Sequence, residues 1–490
     1  MREDWIEIEL GDACEIIGGK NQKQVENPKG RYPICGSGGI FGYADEYLCE
    51  PGTTIIGRKG TINSPIYVNQ KLWNVDTAFG ISPSNKINSK YIYYFCVSFN
   101  FKKIDKSTTI PSLAKRDILK IKFSLAPLPE QRAIVAKIDQ LFSDLDNGIA
   151  NLKAAKVKLE IYRQAVLKKA FEGELTKEWR EKQTELSTAN ELLEHIKNEQ
   201  EKQYQQNFTN WKQSLKIWEA NGEKGKKPVR PKQIKKFPPL TKSQLKELPE
   251  LPEKWGWEKL NSCCTTIVDC PHSTPKWSDE GKICLRTTNF FPNKLNLSKI
   301  KYVSEEIFKK RNERLIPKKN DILYSREGGI LGIACILNKN IDVCLGQRMM
   351  LLRVGSFIDC NYLSYYINSP RILKIVKSLI TGCAAPHINV GDIKEYCVPI
   401  CSKKEQDQIV HEIETRLSVC DKLSETIDQS LEQSEALRQS ILKKAFEGKI
   451  LSEAELKACR QEPDWEPAQK LLARIKEKET IIKPSKKRKS

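Results

Sequence analysis

One eleven-residue string occurs twice in this chain, and it limits the possible folds more than any other feature. Residues 163–173 read RQAVLKKAFEG and residues 438–448 read RQSILKKAFEG, with nine of the eleven positions identical. The offset of 275 positions holds without a gap back through Glu130-Gln131 and Glu405-Gln406 to Pro111 and Pro386. A duplicated segment of that length implies two related units, each ending in the same device.

The device reads as a long helix. Pro129 suits a first helical turn, where its missing N–H is not needed. Val135, Ile138, Phe142, Leu145, Ile149 and Leu152 follow at three- and four-residue steps, and Leu159 and Val166 continue at heptad steps. Val410, Ile413, Leu417, Cys420, Ile427 and Ile441 keep the same register in the second copy. Phe171 and Phe446 close the strings, and Gly173 and Gly448 fit C-terminal caps. Such a seam predicts a helix of about 43 residues, roughly 65 Å long. It has to be buried against a partner, and the other copy is the obvious one.

Around these helices the chain divides into a first globular unit (1–125), a long helix (126–175), a connector (176–250), a second globular unit (251–401), a second long helix (402–450) and a C-terminal helix with a basic tail (451–490). The expected class is α+β: two globules joined by two antiparallel coiled-coil helices with pseudo-twofold symmetry. Trp5 opens the first globule as Trp255 opens the second. Short β-rich runs separated by turn signals, as in residues 53–56 and 64–68, fill the first, and residues 90–97 read as a helix. Residues 36–42 (GSGGIFG) lack a following amphipathic helix and read as turns. In the connector, residues 187–202 read as a helix with Leu192, Leu193 and Ile196 on one side, and residues 221–252 as an extended Lys- and Pro-rich stretch. Ala468, Leu471, Leu472 and Ile475 repeat the spacing of Ala189, Leu192, Leu193 and Ile196.

A formal charge of +20 points to a polyanionic partner, although much of it sits in the connector and the tail. The N-terminus has no apolar signal core and no stretch suits a membrane span, so a cytoplasmic protein is expected. The sixteen cysteines form no CxxC pairs and read as reduced core residues. Cys263, Cys264, Cys270 and His272 lie close in sequence, but adjacent cysteines chelate one ion poorly, and no metal site is expected. There is no GxxxxGK[ST] phosphate loop and no Asn-Pro-Pro-aromatic run, and four dispersed histidines support no catalytic cluster. No catalytic, cofactor-binding or metal residue is assigned.

Recognition signals are better developed. Each globule carries a β-run leading into an Arg-x-Gly turn, at Arg58-Lys59-Gly60 and at Arg326-Glu327-Gly328. Arginine can chelate guanine O6 and N7, and glycine lets the backbone approach a phosphate. Thr61 and Lys115 add donors in the first globule; Arg286, Thr288, Asn289, Gln347 and Arg348 add donors and acceptors in the second.

The run Leu128-Pro129-Glu130-Gln131, the repeated LKKAFEG string, Asp321-Ile322-Leu323 leading to Arg326-Glu327-Gly328, the CLGQR run at 344–348 and the LPELPEKW run at 248–255 together resemble the specificity subunit of type I restriction–modification systems. The resemblance spans nearly the whole chain. It implies that each globule reads one half of a bipartite, asymmetric double-stranded DNA site, and that the helices set the unread spacer. It further implies docking of two modification subunits carrying S-adenosylmethionine, joined by restriction subunits with ATP- and magnesium-dependent motors, and no cofactor in this chain. A stand-alone DNA-binding regulator, a self-sufficient enzyme and a coiled-coil scaffold are the alternatives.

Overall fold

The structure, a computed structural model, describes residues 2–225, 227–231, 238–380 and 386–482. The basic tail at 483–489 and Cys383 lie outside them. The chain forms two compact units, one of residues 1–155 with 426–490 and the other of residues 156–425. The first long helix, Leu128–Phe171, begins in the first unit and ends in the second, and Lys403–Phe446 does the reverse.

Both globules are mixed α/β and share one strand plan. In the first unit an antiparallel sheet runs Cys14–Gly18, Ala78–Pro83, Thr53–Gly57, Ile66–Val68, beside a smaller sheet of Gly39–Ala44, Tyr32–Gly36 and Trp73–Asn74. In the second unit the same order recurs as Cys264–Asp269, Met349–Val354, Ile322–Ser325, Ala334–Ile336, beside Lys301–Val303, Lys282–Leu285 and Val343–Leu345. Each globule is closed by its own antiparallel pair, Ile6–Glu9 with Lys122–Leu125 and Gly256–Lys259 with Cys397–Ile400. The second globule is longer because a hairpin (Phe290–Phe291 with Lys294–Leu295) and a helix (Glu305–Arg311) lie between strands that follow more directly in the first. Residues 36–42, expected as turns, form the end of one strand, a tight turn and most of the next.

The duplicated motif has a mechanical reason. Trp5 Nε1 donates to Glu130 Oε2 at 2.8 Å, and Trp255 Nε1 to Glu405 Oε2 at 2.9 Å; both carboxylates are buried. A buried indole N–H needs an acceptor, and a carboxylate forms the stronger, charge-assisted bond. Gln131 and Gln406, also buried, each bridge two backbone groups. Their Oε1 atoms accept the N–H of Asn88 (3.0 Å) and Asp359 (2.9 Å), the residues capping Ser89–Ser98 and Cys360–Ile367. Their Nε2 atoms donate to the carbonyls of Ala126 (2.8 Å) and Cys401 (3.0 Å). At the other end of the motif Phe446 packs on Tyr91 and Phe95, and Phe171 on Tyr362 and Tyr366. Gly173 and Gly448 take φ of 77° and 71°, the left-handed cap that only glycine adopts freely. The motif is therefore a clamp joining a globule to both long helices.

In each unit the two helices pack antiparallel. Val135, Ile138 and Phe142 share a core with Ile441, Leu442 and Ala445, with Phe446 packed against it. Val166, Leu167, Ala170 and Phe171 share another with Val410 and Ile413, with Leu417 at its edge. Reciprocal ion pairs flank them: Arg438 with Asp146, and Arg163 with Asp421 at 2.6 Å. The seam is unevenly buried: Leu145, Ile149, Leu152 and Leu159 of the first helix are only half-buried, whereas Cys420 and Ile427 of the second are buried.

The connector departs from expectation. Its helix runs Ala189–Ala220, eighteen residues past the predicted end. Its first turns bury Ala189, Leu192 and Ile196 beside Trp255 and Leu260, and the C-terminal helix Ala468–Ile482 buries Ala468, Leu471 and Ile475 beside Trp5 and Ile8. Among the described residues no helix is long and apolar enough to cross a membrane.

Candidate nucleic-acid interface

The two Arg-x-Gly turns are built alike. Each arginine follows a strand whose residues are all buried, and its backbone is fixed on both sides. Arg58 N donates to Thr77 O at 2.8 Å and Arg58 O accepts from Leu113 N at 2.9 Å; Arg326 N donates to Arg348 O at 3.1 Å and Arg326 O accepts from Ile388 N at 3.0 Å. Gly60 N and Gly328 N each reach a proline carbonyl, Pro111 and Pro386, at 2.9 Å. Both glycines have positive φ, 79° and 90°.

The side chains do opposite things. Arg58 is exposed; its guanidinium lies 5.6 Å over the Phe79 ring, with a long 3.5 Å contact to Asp76 O. Arg326 is 5% exposed, and its Nε and Nη2 chelate Asp269 at 2.8 and 3.0 Å. Nη2 also pairs with Glu327 at 2.8 Å, and Nη1 donates to Ile388 O at 3.4 Å. Burial alone would lower the pKa of this guanidinium, but the hydrogen bonds and charge of Asp269, with Glu327, outweigh it and hold it raised. Arg326 and Glu327 thus face each other and His272 rather than a ligand edge.

The exposed cation at this turn of the second globule is Arg348, the structural counterpart of Thr77. It is exposed with φ of 73°, and a Cβ on Gly328 would lie 3.2 Å from its Nη1. A non-glycine residue held there carries backbone strain, a condition associated with functional positions.

The remaining predicted residues separate in the same way. Lys59, Thr61, Lys115 and Thr288 are exposed. Arg286 is half-buried and donates to Lys299 O, and Gln347 accepts from Thr274 Oγ1 at 2.7 Å. Asn289 is buried with its amide spent on Arg286 N, Asn296 O and Lys299 O, which makes it a brace for the loop. A surface that sequence reasoning passed over lies beside Arg58. Gly36, Ile40, Phe41, Asp76 and Thr77 help line a shallow cavity of about 440 Å³, and Ile40 and Phe41 are 51% and 57% exposed. Apolar side chains held in water at the tip of a hairpin were the available signal. Cys263, Cys264 and Cys270 are buried; burial pushes the Cys264 and Cys270 thiols up to about 12 and about 11, which favours the neutral thiol.

The chain matches the family described as type I restriction modification DNA specificity domain twice, over residues 2–154 and 269–433. It belongs to that family. Two curated Escherichia coli relatives align along most of their length: the type I restriction enzyme EcoDI specificity subunit, 22% identical over 92% of this chain and 89% of its own, and the EcoBI specificity subunit, 23% identical over 92% and 88%. Among solved structures, a chain from a study of complex assembly and conformational transition of the type I R-M system superposes with a TM-score of 0.61, at 15% identity, over 92% of this chain and 99% of its own. The HsdS subunit from Thermoanaerobacter tengcongensis gives 0.53 at 15% identity, over 92% and 98%. This chain is a specificity subunit, the non-catalytic component of such a system.

Proposed function

We propose that each globule reads one half of a bipartite, asymmetric DNA site. Arg58, with the Gly39–Ala44 hairpin beside it, acts in the first globule and Arg348 in the second. Exposed lysines such as Lys59 and Lys115 supply phosphate contacts that set register without choosing bases. The paired helices fix the number of unread base pairs between half-sites and dock two modification subunits, which bring S-adenosylmethionine and flip the target adenine into their own pockets. Restriction subunits with ATP- and magnesium-dependent motors complete the assembly, which works in the cytoplasm.

The single observation that carries this reading is the pair of turns with matching backbone hydrogen bonds, each in a globule held by a matching clamp and each presenting a different surface. A map of methylated adenines in the host, with and without this gene, tests it. Loss of one bipartite motif on deletion is expected. An unchanged pattern in cells that express the modification subunits would favour a stand-alone regulator.

A further inference from the structure

The connector helix outgrows its counterpart. Ala189–Ala220 has 32 residues against 15 in Ala468–Ile482, and only its first third packs on the globule. Glu199 reaches the N–H and hydroxyl of Ser356, and Gln200 donates to the carbonyls of Ser262 and Cys264, which roots the helix in the second unit. Beyond that root Tyr204, Phe208, Trp211, Leu215 and Trp218 form a stripe at alternating four- and three-residue steps, all half-buried.

What covers the stripe is the chain that follows the helix. Trp211 Nε1 donates to Pro228 O at 3.0 Å and Trp218 Nε1 to Gly225 O at 3.3 Å. Arg230 lies over the Phe208 and Trp211 rings at 5.2 and 5.8 Å, Lys227 over Trp218 at 5.3 Å and Lys212 over Phe208 at 4.7 Å. Residues 212–246 hold eleven Lys and Arg against two Glu, a net +9 out of the chain's +20. A run this basic would ordinarily be a solvated coil. Here the aromatic stripe ties back Gly225, Lys227, Pro228 and Arg230 among the described residues, so that Lys212, Lys227 and Arg230 are exposed yet held over rings, with Lys216 exposed on the same helix.

We infer that this hairpin is a third DNA-contacting surface, a sequence-independent clamp on the phosphate backbone that belongs to the second unit alone. Charge complementarity names the occupant: fixed, exposed cations with few carboxylates suit a polyanion, and aromatic rings holding them in place lower the ordering cost of binding. The inference adds to the reading that this subunit works on DNA, but it does not depend on which bases the globules read.

The test is binding of the full-length chain to a random-sequence 40-base-pair duplex as salt is varied. Lys212→Glu, Lys216→Glu and Lys227→Glu are combined, with the corresponding Gln triple variant as a second form should charge reversal disturb folding. Each lost phosphate contact lowers the log–log salt slope by about 0.9. Three lost contacts mean that wild-type protein should lose about 40-fold more affinity than the Gln variant between 50 and 200 mM salt. The methylated motif should keep both half-sites. Equal slopes for wild type and variants would overturn the clamp. So would an unchanged slope accompanied by lost capture of the modification subunits, which would make the hairpin a protein-docking arm. If the bipartite motif itself is absent but the slope falls, the clamp stands and the recognition reading fails.

Discussion

The two units of this protein carry the same joint and different faces. Where a globule meets the long helices, contact after contact is duplicated: Trp5–Glu130 with Trp255–Glu405, Gln131 with Gln406, Phe446 with Phe171. At the surface turns the backbone is still duplicated but the side chains are not, since Arg58 is exposed and Arg326 is buried under Asp269. The joint must stay constant because it positions the heads; the heads are free to diverge because only their backbone frame is shared. Moving the exposed arginine from position 58 to the counterpart of Thr77 changes where a cation sits over the turn without changing the turn.

The largest expected effect lies in the joint. Glu405 accepts from Trp255, Thr176 and Arg180, the last two at 2.8 Å each. Glu405→Ala strands a largely buried guanidinium and an indole and should cost about 3–5 kcal/mol. Glu130→Ala strands Trp5 and should cost about 1–3 kcal/mol. Denaturant melts of the two variants check the order; equal costs would mean that Arg180 adds nothing.

The turns come next. Arg326→Ala should destabilise the second unit by about 3 kcal/mol, because Asp269 and Glu327 lose their shared guanidinium and keep only His272. Arg58→Ala should shift stability by less than about 0.5 kcal/mol while weakening its half-site by about 1–3 kcal/mol. Arg348→Gly should do both at once, relieving about 1 kcal/mol of backbone strain and losing the second half-site. Melting and methylation assays on the same preparations separate the effects. A stable Arg326→Ala protein that has lost base choice would restore Arg326 as a reader.

The smallest difference is between the flanking ion pairs. Arg163→Ala should cost about 0.2–1 kcal/mol, as a part-exposed pair does. Arg438 also sits 4.5 Å over the Phe142 ring, so Arg438→Ala should cost about 0.5 kcal/mol more. Equal losses would show that the cation–π contact is worth nothing measurable.

Much of the frame was legible because it repeats. The 275-residue offset marked out both helices, whose ends lie one to four residues inside the expected spans, and the spacing repeated at 468–475 falls on residues buried like those of 189–196. The partner of Arg326 was not legible, since Asp269 lies 57 residues away with no periodicity to link them. Arg58 and Arg326 look equivalent in sequence because their backbones are equivalent; burial depends on an acidic neighbour that only one globule has. The sequence places the end of the connector helix too early because polar residues mask four aromatics and a leucine at heptad steps, which pack on the chain that follows them.

A head exchange tests the division between joint and head most directly. Residues 256–400 would be replaced by the corresponding globule of a relative, with both long helices left intact, and the methylated motif mapped in cells that express the modification subunits. One half-site should change while the other half-site and the spacer stay fixed. A change in the spacer or in both half-sites would contradict the account.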